Sequence, residues 1–266
     1  MVEVWASIDL HVDGDEVGGG LPQMSEEQVM SLLLSEDNDR NQDEPEVAAS
    51  IGEQMLHMEM TLLPKSVRSR IRDVCSRVSS RNAVLVGGGI GHLSAWLFDL
   101  WSTDDIRPGS FRIIEPGTRF GVIIDRLIRR YDAESWAKVI SRSWQEVFAE
   151  SMSQTASNFL LPEEALDSLL PMPVDLVVID VPEEERVLAA TLAFDLISSG
   201  GLVLVLEPTV PTGDVGEIEG DEGPTPAQAK VHSFNEWIEL IKMVNDGHSL
   251  GFAELPGGTL VGILKS

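Results

Sequence analysis

A single cysteine, Cys75, stands among the 266 residues of this sequence. That excludes an intrachain disulfide and any metal site built from several thiolates, and a reducing compartment is the simple reading. Basic side chains are also scarce: 19 Lys and Arg face 44 Asp and Glu, a formal net charge of −25. Such a surface repels phosphate backbones, so unspecific nucleic-acid binding is disfavoured. The shortage is sharpest in residues 1–53, which hold fourteen acidic side chains and one basic, Arg40. The bases that exist cluster on two predicted helices, as Lys65, Arg68, Arg70 and Arg72, and as Arg126, Arg129 and Arg130. No apolar run approaches a membrane span, and Met1 to Asp15 lacks the basic-then-apolar order of a signal peptide. A cytoplasmic location without a membrane partner is the expectation. The histidines His11, His57, His92, His232 and His248 form no metal-ligand spacing with one another.

What is present is apolar enough, at 43% hydrophobic residues, to build one large core. Residues 1–50 read as an acidic extension and 51–266 as one α/β domain. Ser25-Glu26-Glu27 looks like a helix start, Ser35 to Glu46 like a mobile polar loop, and Pro45 to Met60 like a helix. Val2 to Val12 suggests a short strand. From Val67 the order becomes regular: helices alternate with the apolar runs Ala83–Val86, Phe111–Ile114, Lys138–Ser141, Asp175–Ile179 and Leu202–Leu206. Unbroken apolar strands separated by helices predict a parallel sheet covered on both faces. The chain closes with a helix over Ser233–Val244 and two strands, Ser249–Leu255 and Thr259–Lys265, whose short Pro256-Gly257-Gly258 turn requires an antiparallel hairpin.

The sharpest motif is Val84-Leu85-Val86-Gly87-Gly88-Gly89-Ile90-Gly91-His92. A buried strand runs into glycines that permit positive φ and close approach of a ligand, and a helix N-terminus follows with unpaired N–H groups. Together they form a cradle for a nucleotide-like ligand. The spacing Gly87-x-Gly89-x-Gly91 departs from the dinucleotide pattern G-x-G-x-x-G. In an open α/β sheet, ligands bind beyond the carboxyl ends of the strands. Glu115 ends the second strand about twenty-five residues after the glycines, and its carboxylate offers two oriented acceptors for ribose hydroxyls. Ser143 and Trp144 follow the third strand, Asp180 the fourth and Glu207 the fifth. His92 directly follows the glycine turn.

The glycine turn and the closing segment GFAELPGGTLVGILKS resemble the Rossmann-like S-adenosylmethionine-dependent methyltransferases. Over residues 50 to 266 the sequence is most similar to the small O-methyltransferases of the catechol and caffeoyl-CoA type. The resemblance implies a three-layer sandwich with a mostly parallel seven-stranded sheet, order 3-2-1-4-5-7-6. It implies S-adenosylmethionine as cofactor, held by Gly87, Gly89, Gly91, His92, Glu115, Ser143, Trp144 and Asp180. Ser143 and Trp144 would contact adenine, and Asp180 would face the transferred methyl group. Asp180 and Glu207 become the catalytic pair and, by the same resemblance, ligands of Mg²⁺, with Asp214 assisting from the next loop. Two positions depart from the family: Pro208 replaces an asparagine ligand, and Leu85 replaces an acid two residues before the first glycine.

The expected activity is methyl transfer to an oxygen of a small molecule. Asp180-Val181-Pro182 also looks like adenine-N1 tRNA methyltransferases, and the Gly-Gly-Gly run like aminopropyltransferases. A non-catalytic cofactor-binding or regulatory homologue is the reading that Leu85 and Pro208 favour. A homodimer is one expected assembly. The acidic segment 212–230 suggests either a lid selecting a cationic substrate, with His232 beside it, or a disordered insertion.

Overall fold

A computed structural model describes residues 25–40, 42–103, 106–157, 169–212 and 225–266. The expected strand near the N-terminus, Asp214 and the rest of residues 213–224 of the acidic segment lie outside these residues. Among the described residues seven strands form one sheet: β1 (Asn82–Val86), β2 (Ser110–Ile114), β3 (Ala137–Ile140), β4 (Val174–Ile179), β5 (Ile197–Leu206), β6 (Ser249–Leu255) and β7 (Gly258–Leu264). Their order is β3-β2-β1-β4-β5-β7-β6. The pairs through β5 are parallel, and β7 runs antiparallel to both β5 and β6. The sheet topology is the one the resemblance implies.

Eight helices accompany the strands among the described residues: α1 (Glu26–Leu33), α2 (Glu46–His57), α3 (Lys65–Arg77), α4 (His92–Thr103), α5 (Thr118–Arg130), α6 (Trp144–Ser157), α7 (Arg186–Leu196) and α8 (Pro226–Asn245). Successive strand side chains point to opposite faces, so each apolar run feeds two cores. Leu85, Ile113, Val178 and Leu204 join the core beneath α1 to α5, whereas Val84, Val86, Val177 and Val203 join the one beneath α6 to α8. Leu85 is fully buried in the first core. The residue type at that departure from the family pattern suits packing.

From Ser25 onward the described part of the N-terminal stretch packs on this core. Ser25 and Gln28 close a reciprocal capping box that starts α1. Met30 and Leu34 bury themselves where Gly251 and Gly262 leave room on the hairpin. The expected domain boundary at residue 50 falls inside α2, which continues unbroken from Glu46 to His57. The stretch from Ser35 to Glu46, expected to be mobile, is tied down: the Asp37 amide donates to Asp73, and Gln42 donates to the Asp37 carbonyl.

α3 supplies most of these ties. Arg70 donates to the Leu34 carbonyl and Arg77 to those of Leu33 and Ser35, placing cations where the carbonyls at the end of α1 point. Arg72 pairs with Asp99 at 2.6 Å. The clustered Arg68, Arg70 and Arg72 of this helix are therefore engaged within the fold. No helix among the described residues is long and apolar enough to cross a membrane.

α8 begins seven residues before its expected start. Thr225 and Gln228 form a second capping box, with Pro226 in the first helical position.

Candidate active site at the strand ends

A cavity of about 1300 Å³ opens over the carboxyl ends of β1, β2, β4 and β5. Its floor is the glycine turn. Gly87, Gly89 and Gly91 all take positive φ, at 89°, 51° and 94°. The Gly87 and Gly88 amides both donate to the Ile114 carbonyl, at 3.0 and 3.1 Å, which fixes the turn against the end of β2. A side chain at Gly87 would overlap the Asp180 carbonyl oxygen. At Gly89 the only atom within 4 Å of such a carbon is Met60 Cε, at 3.9 Å, so that position faces the open cavity.

Glu115 is 6% exposed, and its carboxylate is oriented by the turn itself. Oε2 accepts from the Gly89 amide at 2.7 Å, and Oε1 accepts from the Gly117 amide at 2.8 Å. Burial pushes its pKa up, and these two amides pull it down. Each oxygen keeps lone pairs beyond its one backbone donor.

Asp180 leaves β4 beside the turn, its amide bonded to the Val86 carbonyl at 2.8 Å. Burial raises its carboxyl to about 7, against the opposing charges of Arg186 and Arg68. Arg186 was not among the sequence candidates, yet it spans the two strand ends. Its Nε donates to the Val181 carbonyl and its Nη1 to that of Glu207, both at 3.4 Å. Glu207 sits at the end of β5, where its Oε1 accepts from the indole N–H of the fully buried Trp237, at 3.1 Å.

Ser143 and Trp144 line the cavity, but their polar atoms are engaged elsewhere. Ser143 forms a capping box with Glu146 at the start of α6: its Oγ accepts from the Glu146 amide, and its own amide donates to the Glu146 carboxylate. Trp144 is 6% exposed and donates its indole N–H to the Ala189 carbonyl at 3.2 Å. It packs into the second core instead of presenting a free ring for stacking.

Residues before β1 build another wall. Met55, Met60, Leu62, Leu63 and Pro64 give it an apolar surface. Behind it, Glu44 forms a hub. Its Oε1 accepts from Arg68 Nη2 at 3.0 Å, from His92 Nε2 at 2.9 Å and from Trp96 Nε1 at 3.4 Å. His92, 4% exposed, opens α4 directly after the glycines. Burial, followed by the Arg68 charge, lowers its pKa, and Glu44 opposes both. Its Nε2 would lie only 3.1 Å from a side-chain carbon at Gly52, so a glycine there seats α2 against the ring. His232 lies on α8, exposed and paired with Glu236.

The donor set at Asp180 and Glu207 does not fit Mg²⁺. Pro208 carries no side-chain ligand, Glu207 already receives the Trp237 indole, and no group of three acidic, His or Cys side chains among the described residues can hold a metal. A cation bridging the two carboxylates would also stand beside the Arg186 guanidinium. Like unit charges about 4 Å apart repel by roughly 4 kcal/mol at an effective dielectric constant near 20, and a divalent ion doubles this.

No protein-family model matches the sequence, and no curated protein matches it significantly. Solved structures do match. An O-methyltransferase from Bacillus cereus, in complex with SAH, is 14% identical at a TM-score of 0.56, covering 90% of this chain and 96% of its own. The O-methyltransferase TomG from Streptomyces achromogenes, involved in tomaymycin synthesis and solved with SAM, is 15% identical at a TM-score of 0.57, covering 91% and 100%. Cofactor-bound Rv0187 from MTB is 13% identical at 0.55, covering 91% and 98%. Identity this low speaks to architecture alone, and on that evidence the chain has the Rossmann-like methyltransferase fold.

Proposed function

We propose that this protein is an S-adenosylmethionine-dependent methyltransferase acting on an oxygen of a small molecule. The observation that carries the reading is the Glu115 carboxylate bonded to the Gly89 amide inside the glycine turn, at the floor of a cavity that also holds Asp180. The structural neighbours crystallised with SAM or SAH lend support. Glu115 would take the ribose hydroxyls on its remaining lone pairs, and the glycine turn would pass beneath the methionine part beside His92. When bound, S-adenosylmethionine supplies a sulfonium methyl group open to in-line attack. The chain's contribution is chiefly to hold the acceptor in line and to remove its proton. Asp180 is the residue placed for that proton. Ser143 and Trp144 would then border the adenine as wall residues. Against an RNA acceptor stands the inward engagement of Arg68, Arg70 and Arg72.

Calorimetry on the full chain tests the reading. S-adenosylmethionine binds the wild type, and Glu115→Ala weakens binding by about 10- to 100-fold, the value of one or two hydrogen bonds to a charged group. Unchanged affinity in the variant would remove Glu115 from the site, and no binding to the wild type at millimolar ligand would sink the methyltransferase reading.

The pH dependence follows from Asp180. Its carboxyl holds a proton until about pH 7 and only then accepts one, so turnover rises through that range and levels off above it. The same shift acts on stability with the opposite slope. Between the unfolded aspartate value of about 3.9 and about 7 the folded chain binds more protons than the unfolded one, so stability falls as pH rises. Asp180→Asn flattens both profiles. An acidic limb near pH 7 that persists in this variant would assign the titration to another group.

A further inference from the structure

We propose that Arg186 binds the acceptor as its oxygen anion, so that methyl transfer to that oxygen proceeds without a metal ion. The inference rests on the methyltransferase reading and adds to it the charge that meets the acceptor. Two carbonyls, of Val181 and Glu207, hold the guanidinium between the ends of β4 and β5. These two bonds use two of its five N–H donors. Among the described residues no other hydrogen bond reaches it, and none of its nitrogens is sealed from solvent without a partner. Arg186 lines the cavity together with Asp180, Glu207 and Thr209, and the carboxylates of Glu183, Asp180 and Glu184 surround its charge. The donors left over from the two carbonyls are the ones a ligand there would meet.

The second nearby guanidinium is not available in this way. Arg68 is committed to the Leu63 carbonyl at 2.6 Å and to Glu44 at 3.0 Å, and it does not line the cavity. Lys230 reaches the rim from α8 and is exposed. Arg186 is thus the fixed cation of the acceptor side, at the place where Asp180 and Glu207 lack the ligands for a divalent ion. A guanidinium is planar, stays charged at any working pH and presents parallel donors, which suits it to an oxyanion. The acceptor class that follows is a weakly acidic hydroxyl on an apolar body, which the Met55, Met60 and Leu62 wall would cover.

The step balances without a metal. The acceptor O–H gives its proton to the Asp180 carboxylate, and an oxygen lone pair forms the new O–CH₃ bond. The C–S bond breaks with its electron pair remaining on sulfur, so the sulfonium becomes a neutral thioether. Asp180 afterwards releases the proton to water.

The experiment uses the full chain, treated with EDTA, saturated with S-adenosylhomocysteine and titrated with 4-nitrophenol, whose anion is coloured. The wild type takes up the probe as nitrophenolate. Arg186→Gln weakens that binding by about tenfold or more, as expected for loss of a charge-assisted contact, and Arg186→Lys keeps part of it. S-adenosylhomocysteine affinity, measured on both variants, stays within about twofold of wild type, which separates loss of the contact from loss of the fold. Equal anion binding by Arg186→Gln overturns the proposal. So does uptake of the neutral form alone, no uptake at millimolar probe, or anion uptake that begins only when Mg²⁺ is added. Failure of the wild type to bind S-adenosylhomocysteine would instead strike the methyltransferase reading beneath it.

Discussion

Gly87→Ala unfolds this protein more readily than Gly89→Ala, two positions further along the same turn. The residue sits at φ 89°, a conformation that costs an L residue about 1–3 kcal/mol. The added carbon would also overlap the Asp180 carbonyl and come within 2.9 Å of Val181 Cγ1. The carbonyl is held in place, because the Asp180 amide is bonded to Val86 and so fastens the end of β4 to the end of β1. Strain and overlap together give a loss of about 4 kcal/mol, a large part of the roughly 5–15 kcal/mol that holds a domain folded. Gly89→Ala supplies the contrast. Its φ of 51° lies in the left-handed helical region, at a cost of about 1–2 kcal/mol, and the new methyl faces the cavity. Urea denaturation at matched slope therefore separates the two: Gly87→Ala loses stability, whereas Gly89→Ala loses mainly affinity for S-adenosylmethionine. Equal midpoints for both variants would show that the overlap at Gly87 is relieved by movement the geometry does not suggest.

That contrast also marks what the sequence alone makes legible. Strands buried on both faces are written as unbroken apolar runs, and Val84 to Val86 and Leu176 to Ile179 could be read directly. Gly87, Gly89 and Gly91 announce positive φ because only glycine takes it without strain. Glu115 and Asp180 were accessible because strand ends point to the ligand side of an open sheet. Capping is local too, yet Ser143-x-x-Glu146 at a strand end reads equally as a base contact, and Thr225-Pro226-x-Gln228 stands beside an acidic segment whose composition suggests disorder.

Arg186 and Glu44 were not legible for a different reason. Arg186 opens α7 among acidic neighbours, and its hydrogen bonds go to backbone carbonyls, one of them 21 residues away. A carbonyl acceptor leaves no mark in the amino-acid code. Trp144 shows the converse limit: an aromatic residue at a strand end reads the same whether it stacks on a base or packs into a core, and the Ala189 carbonyl settles its indole in the core. The engagement of Arg68, Arg70 and Arg77 on α3 is hidden because their partners, Glu44 and the carbonyls of Leu33 and Leu34, come from a stretch whose composition reads as a loose acidic extension.

Glu44 therefore carries the last and most local test of whether that stretch is part of the site. Its single oxygen Oε1 gathers Arg68, His92 and Trp96, which lie 24, 48 and 52 residues along the chain. Glu44→Ala leaves the Arg68 guanidinium, whose side chain is 8% exposed and whose Nε already has no partner, as a buried charge without its salt-bridge partner, with only Asp180 left to oppose it. Removing one partner of a buried pair costs about 3–5 kcal/mol, and the 24% exposure of Glu44 places this pair near the lower figure, about 3 kcal/mol. Glu44→Gln keeps an acceptor but loses the charge, and falls between wild type and alanine. Glu46→Ala, at an exposed position in the first turn of α2, changes stability by less than about 0.5 kcal/mol. The consequence reaches the glycine turn because His92 follows Gly91 directly: once Glu44 is gone, nothing opposes the burial and the Arg68 charge that lower the imidazole pKa. Glu44→Ala then weakens S-adenosylmethionine binding along with the fold, whereas Glu46→Ala leaves both in place. If the two alanine variants unfold at the same urea concentration, Glu44 is a surface acid, and the residues before α2 hold no part of the cavity wall in place.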